Sequence, residues 1–127
     1  MRNKSILIVD DIHINRVLLS EIVKEMGSTS LEAKDGQEAI KILETKQVDI
    51  VLMDIEMPVM NGFETTIYIR ENFSTPMNQI PIIAITAHDP NSFYEEYQGA
   101  GFNDLITKPY TYAKLSKTIS TILGGIA

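Results

Sequence analysis

Ile50-Val51-Leu52-Met53 is an unbroken apolar run that ends in a carboxylate, Asp54, with Pro58 a short way beyond. The run is too short for a helix of its own. Bounded by turn signals within Val48–Pro58, it suits a strand buried on both faces, as in a parallel sheet. Pro58 forbids the strand from continuing. Open parallel sheets bind ligands outside the carboxyl ends of their strands. The pattern therefore sets Asp54 at the edge where such a fold does its chemistry.

The flanking sequence repeats the theme. Ile6-Leu7-Ile8-Val9 is a second buried-strand run and ends in Asp10-Asp11. Ile14, Leu18, Ile22 and Met26 follow at helical spacing, with Gly27 as the stop. Thr29 to Ala33 reads as a short strand. Asp35 is an N-cap with Glu38 completing a capping box, and Ala39, Ile40 and Leu43 form that helix's inner face. Asn61 caps a third helix carrying Phe63, Ile67 and Arg70, and Ser74 to Gln79 reads as a loop. Ile82-Ile83-Ala84-Ile85 is a fourth strand ending in Thr86-Ala87. Asp89-Pro90 pairs a cap with proline at the first helical position, opening a helix with Phe93 and Tyr97 that Gly99 and Gly101 close. Asp104 to Thr107 is a fifth strand, ending in Lys108-Pro109. Thr111 caps a last helix with Leu115, Ile119 and Ile122 inward, and the tail from Gly124 reads as frayed.

Strands alternating with helices imply βαβ units, and right-handed crossovers leave few topologies. The expected fold class is α/β: a flavodoxin-like (βα)5 doubly wound parallel sheet of strand order 2-1-3-4-5. A length of 127 residues favours one domain, spanning 1–127. A chain of this size buries roughly 65–70% of its unfolded surface, enough for a core without staples. The absence of cysteine excludes a disulfide framework and a thiolate metal site, and fits a reducing compartment such as the cytoplasm. No signal-peptide core or bilayer-length apolar stretch is present. The net charge of −6 argues against a nucleic-acid-binding surface, which needs clustered cations.

In that strand order the first and third strands are neighbours, so Asp10, Asp11 and Asp54 meet in one crevice. Three carboxylates that close repel, and a hard cation with oxygen ligands relieves them; Mg²⁺ suits a few carboxylates and several waters. Each aspartate taken singly also suits a cap. Thr86 and Lys108 end the next two strands and reach the same edge, the first supplying a hydroxyl donor and the second an ammonium. A carboxylate nucleophile, a metal, an ammonium and a hydroxyl donor together are equipment for phosphoryl transfer to Asp54.

These residues carry a resemblance. Asp10-Asp11 after the first strand, Met53-Asp54-Ile55-Glu56-Met57-Pro58-Val59-Met60-Asn61-Gly62, Thr86-Ala87 and Lys108-Pro109 are similar, in order and combination, to the receiver domain of two-component response regulators. The resemblance covers essentially the whole chain. It implies that Asp54 accepts a phosphoryl group from a phosphohistidine on a sensor histidine kinase or histidine phosphotransfer protein. It implies Mg²⁺ held by Asp11 and Asp54 directly, by Asp10 through water and by the backbone carbonyl of Glu56. It gives Thr86 and Lys108 the phosphoryl oxygens, and makes the helix 4, strand 5 and helix 5 surface the part that phosphorylation alters. The stretch from Met53 to Glu64 and the pair Asn15-Arg16 look most like receivers of hybrid histidine kinases. Ile12 departs from the asparagine common there, and Leu105 stands where the family usually has a switching aromatic ring. The second departure implies a phosphorelay role with weak or no homodimerisation.

The remaining candidates divide. His13 reads as a surface histidine; His88, two residues past Thr86, could tune water access to a phosphoryl group. Met53, Met57 and Met60 read as packing. Of Phe93, Tyr94, Tyr97, Tyr110 and Tyr112, about half are expected in the core, and the rest could form an exposed partner-binding patch. A metal-dependent phosphohydrolase would want an Asp-Xaa-Asp pair and a cap over the substrate. An FMN module would want a Ser/Thr/Gly-rich phosphate loop after the first strand, where Asp10-Asp11-Ile12 stands instead. A degenerate docking receiver would not keep all five pocket residues.

Overall fold

The computed structural model describes residues 4–87, 89–97 and 99–126. Its elements run β1 (Ser5–Val9), α1 (His13–Glu25), β2 (Thr29–Ala33), α2 (Gly36–Thr45), β3 (Ile50–Asp54), α3 (Gly62–Asn72), β4 (Ile82–Thr86), α4 (Pro90–Tyr97), β5 (Asp104–Thr107) and α5 (Tyr112–Ile126). All pairings are parallel, and the strand order is the expected β2-β1-β3-β4-β5.

Alternation along each strand divides the core in two. Ile6, Ile8, Ile50, Leu52, Ile83 and Ile85 face one side, under Leu19 and Val23 of α1 and Leu115, Ile119 and Leu123 of α5. Leu7, Val9, Val51, Met53 and Ile82 face the other, under Ala39 and Leu43 of α2 and Ile69 of α3. This is why the strand runs read as continuously apolar: neither face meets water. Each such aliphatic side chain contributes roughly 1.5–3 kcal/mol on burial, so the central strands anchor the edge on which Asp10 and Asp54 sit. The satellite cluster of Ile55, Ala84 and Phe93 seats α4, with Tyr97, Phe102 and Leu105 packed on it.

Several local expectations are corrected. Of the expected α1 stripe, Ile22 and Met26 pack partly buried against the core while Ile14 and Leu18 are exposed, and the fully buried positions are Leu19 and Val23. Two four-residue stripes lie side by side on this helix, one residue (about 100°) apart, and polar ties select between them. Arg16 donates from Nη1 to the Asp10 carbonyl (2.8 Å) and from Nε to Glu32 Oε1 (3.1 Å), and the Ser20 and Ser30 hydroxyls bond at 2.7 Å. On α3 the buried positions are Gly62, Thr65, Thr66 and Ile69, with Phe63 and Ile67 only half-buried. The Thr65 hydroxyl turns back to donate to the Asn61 carbonyl (2.8 Å), which satisfies it where it lies against Gly36 of α2. Asn61 and Glu64 form a full capping box. The one expected at Asp35 is half-formed: Asp35 accepts from the Glu38 N–H (2.8 Å), but Glu38 Oε1 accepts from Lys34 N–H (2.9 Å) rather than from the cap.

The loop before β4 contains a 3-10 turn, Met77–Gln79. The tail predicted to fray is helical through Ile126; its glycines weaken the helix by roughly 1 kcal/mol each without blocking it. His88 lies outside the described residues. Caps at Asp89 and Thr111 are as expected, accepting from Ser92 N–H (3.1 Å) and Lys114 N–H (3.0 Å). No helix among the described residues is long and apolar enough to cross a membrane.

Candidate functional site

The neighbouring carboxyl ends of β1 and β3 bring Asp10, Asp11 and Asp54 together. One carboxylate oxygen of each lies within 4.8 Å of the others. Asp10 and Asp54 are buried and Asp11 is exposed, so the cluster has a floor and a mouth. Asp10 Oδ1 accepts from the Ile12 N–H (2.9 Å), which fixes the turn into α1. From the end of β5, Lys108 Nζ donates to Asp54 Oδ1 at 3.3 Å. The backbone N–H of Lys108 donates to the Thr86 carbonyl (2.8 Å), holding the ends of β4 and β5 in step. The Lys108–Pro109 peptide is cis.

Asp54 is only 3% exposed, and burial pushes its carboxyl up to about 6 from an ordinary value of 3.8. The neighbouring Asp10 adds to the rise, Lys108 opposes it by charge and hydrogen bond, and Glu56 adds a little more. Desolvation and like charge penalise the ionised form. Near neutral pH the pocket thus holds a mostly ionised carboxylate in an environment short of positive charge. Three oxygen donors on the rigid ends of two strands, with an open mouth at Asp11, match a hard divalent cation that keeps some of its waters.

Thr86 is fully buried at the end of β4, and its hydroxyl donates to Glu56 Oε2 (3.0 Å). The Ala87 N–H donates to Glu56 Oε1 (3.4 Å). Nothing in the sequence pattern marked this side-chain role. Arg70, expected among the residues that α3 carries inward, has a different role. It clamps the α4–β5 loop to the loop before β4, with Nη1 on the Ile80 carbonyl (2.7 Å), Nη2 on the Gly101 carbonyl (2.7 Å) and Nη2 on Asn103 Oδ1 (2.9 Å). The signal available was an arginine four residues after Thr66, a buried position of α3.

Leu105, paired with Ala84 across β4 and β5, is half-buried against the α4 cluster. His13 is exposed beside Arg16 and is not part of the carboxylate cluster. Met53 and Met57 pack in the core. Phe93 is buried, and Tyr97 and Tyr110 are half-buried. Tyr94 and Tyr112 are exposed and line different clefts. The cleft reaching Tyr112, of about 460 Å³, runs between α1 and α5 and is bordered by Asp10, Leu18, Ile22, Lys108 and Tyr110.

Residues 6–120 match the family model of the response regulator receiver domain. The chain is 38% identical over 106 residues to the CAI-1 autoinducer sensor kinase/phosphatase CqsS of Vibrio cholerae, covering 84% of this chain and 15% of that protein. It is 29% identical over 121 residues to the polar-differentiation response regulator DivK of Brucella anthropi, covering 95% of this chain and 97% of that one. Among solved structures, the receiver domain of a sensor histidine kinase from Pseudomonas aeruginosa PAO1, with a magnesium ion coordinated in its active-site cleft, superposes with a TM-score of 0.86. That match has 30% identity and covers 96% of this chain and 98% of that one. The chain spans a small part of some relatives and nearly all of others. With its sheet order and its family match over residues 6–120, it belongs to the response regulator receiver domains of two-component signal transduction.

Proposed function

We propose that residues 1–127 act as one receiver unit in which Asp54 accepts a phosphoryl group, in a Mg²⁺-dependent transfer, from a phosphohistidine on a sensor histidine kinase or a histidine phosphotransfer protein. The observation that carries this reading is the buried Asp54 carboxylate, clustered with Asp10 and Asp11 and met by Lys108 Nζ at 3.3 Å. A carboxylate oxygen of Asp54 attacks phosphorus; the new O–P bond forms as the P–N bond to the donor imidazole breaks, and the imidazole leaves with a proton from solvent. Asp10, Asp11, Asp54 and the Glu56 carbonyl would hold the cation, which supplies charge neutralisation for the phosphoryl oxygens. Lys108 holds a phosphoryl oxygen and offsets its charge, and the Thr86 hydroxyl donates to another. The domain assists its own phosphorylation and hydrolysis and is not otherwise an enzyme.

Exposed Ile12, Ile14 and Leu18 beside the α1–α5 cleft offer an apolar seat for the phosphohistidine-bearing partner. The acidic balance of −6 disfavours nucleic acid, and the unit is assigned to the cytoplasm without membrane insertion. With leucine at 105, the domain serves as a relay more than as a dimerising switch of the α4, β5 and α5 surface. The direct test is intact mass after incubation with Mg²⁺ and a small phosphodonor. One added phosphate, lost in Asp54→Asn and in Asp11→Ala, is expected. Rapid release over many turnovers would favour a phosphohydrolase, and a phosphate retained in Asp54→Asn would refute the assignment of the acceptor.

A further inference from the structure

At the mouth of the pocket each donor already has an acid. Lys108 Nζ is on Asp54 Oδ1 (3.3 Å), while the Thr86 hydroxyl and the Ala87 N–H are both on the Glu56 carboxylate (3.0 and 3.4 Å). Two adjacent donors, one from a fully buried side chain and one from the backbone, converge on the two oxygens of a single carboxylate. That is the arrangement an anion of similar size would need. Glu56 lies just past Asp54 with its side chain exposed, so water is open to its carboxylate, whereas Thr86 is buried at the end of β4.

We propose that the Glu56 carboxylate is a resting-state stand-in for the phosphoryl group, a positioning residue that holds Thr86 and Ala87 until a phosphoryl on Asp54 displaces it. The inference rests on the phosphoacceptor reading above. A phosphoryl group on Asp54 repels the Glu56 carboxylate and competes for the same two donors; its higher charge makes the stronger hydrogen bonds. Glu56 then leaves, and Thr86-Ala87, which leads into α4, changes partner. The side chain thereby sets how much phosphate binding is spent on breaking a bond already made, and so sets the threshold of the response.

The test uses the full chain with beryllofluoride and Mg²⁺ as the phosphoryl mimic, and follows the Thr86 methyl resonance. Glu56→Ala is expected to tighten mimic binding about tenfold, equivalent to about 1.4 kcal/mol. In metal-free, mimic-free protein the same variant should move the Thr86 methyl resonance toward its mimic-bound position. Glu56→Gln, which keeps an acceptor but loses the charge, should fall between. In a Thr86→Ala background the gain from Glu56→Ala should be largely lost, because there is no hydroxyl left to release. A gain of equal size in that background would mean simple relief of charge and would overturn the stand-in role. So would wild-type affinity and an unmoved Thr86 resonance in Glu56→Ala. If wild-type protein fails to take up the mimic at all, the phosphoacceptor reading falls, and the stand-in role with it.

Discussion

Asp54→Asn should stabilise the metal-free protein near neutral pH, by an amount that depends on pH in a defined way. The folded protein holds the Asp54 proton more tightly than the unfolded chain does, about 6 against 3.8. Burial is the main cause, with Asp10 next; Lys108 opposes both. A carboxyl raised on folding favours the folded state while protonated. That advantage is complete below about pH 3.8, drains away as pH rises through the window to about 6, and is gone above it. Each pKa unit corresponds to about 1.36 kcal/mol, so the two values imply a loss of about 3 kcal/mol across the window. Asparagine is nearly isosteric and its carbonyl can still accept from Lys108, but it does not titrate. Urea unfolding of both proteins from pH 4 to 7.5, with chelator present, isolates the difference. The Asp54→Asn curve should rise above wild type progressively with pH, by up to about 3 kcal/mol at pH 7 relative to pH 4. Saturating Mg²⁺ should narrow that gap by binding the folded wild type. A difference between the two proteins that stays constant across the range would refute the reasoning, whatever its absolute size.

Three other outcomes are expected. Gly62→Ala would drive a methyl group into the Asp54 carbonyl oxygen and to within 3.0 Å of Ile55 Cα, backbone that yields only at a cost. It should cost on the order of 2–3 kcal/mol in urea unfolding and slow phosphorylation by shifting the end of β3. Arg70→Ala should destabilise by about 2–4 kcal/mol, because it strips donors from the Ile80 and Gly101 carbonyls and from Asn103, and thermal unfolding reads it directly. For Leu105, sedimentation with and without beryllofluoride should show a monomer in both conditions. Its half-buried side chain has no hydroxyl to gain or lose, so phosphate supplies little differential free energy there; a clear shift to dimer on adding the mimic would refute the relay role.

The fold was legible because its signals reinforce one another. Three apolar runs each too short for a helix and two shorter mixed strands, separated by helical stretches with caps at Asp35, Asn61, Asp89 and Thr111, leave a parallel sheet as the consistent solution. Strand order then brings the ends of β1, β3, β4 and β5 to one edge, which is why Asp10, Asp11, Asp54, Thr86 and Lys108 could be gathered without coordinates. Helix rotation was less legible. On α1 the stripe through Ile14 and Leu18 is as regular as the buried one through Leu19 and Val23, and only Arg16 and Ser20, bonded across to Asp10, Glu32 and Ser30, break the tie. Those are long-range polar contacts, and periodicity carries no information about them. Arg70 escaped for the same reason: its partners lie 8 to 33 residues away in sequence.

Glu56 marks the deeper limit. Its position after Asp54 was evident, but where its carboxylate goes depends on the turn that follows β3. There the Met57 N–H donates to the Ile55 carbonyl (3.2 Å), the Met60 N–H donates to the Pro58 carbonyl (2.8 Å), and Val59 sits at a φ of 71°. A β-branched residue in that region is held at a cost of roughly 1–3 kcal/mol and persists only where its surroundings demand it. Here they do. Pro58 blocks extension on one side, and on the other Gly62 must lie against the Asp54 carbonyl for α3 to pack on the sheet. Sequence preference would never put valine in such a turn, because the strain is imposed from both flanks and not chosen locally. The same turn holds Glu56 over Thr86 and Ala87. Val59→Gly, which adopts that φ without strain, should therefore raise stability in urea unfolding and keep the turn that holds Glu56, without touching any residue of the pocket; a loss of stability would refute the account of an imposed strain.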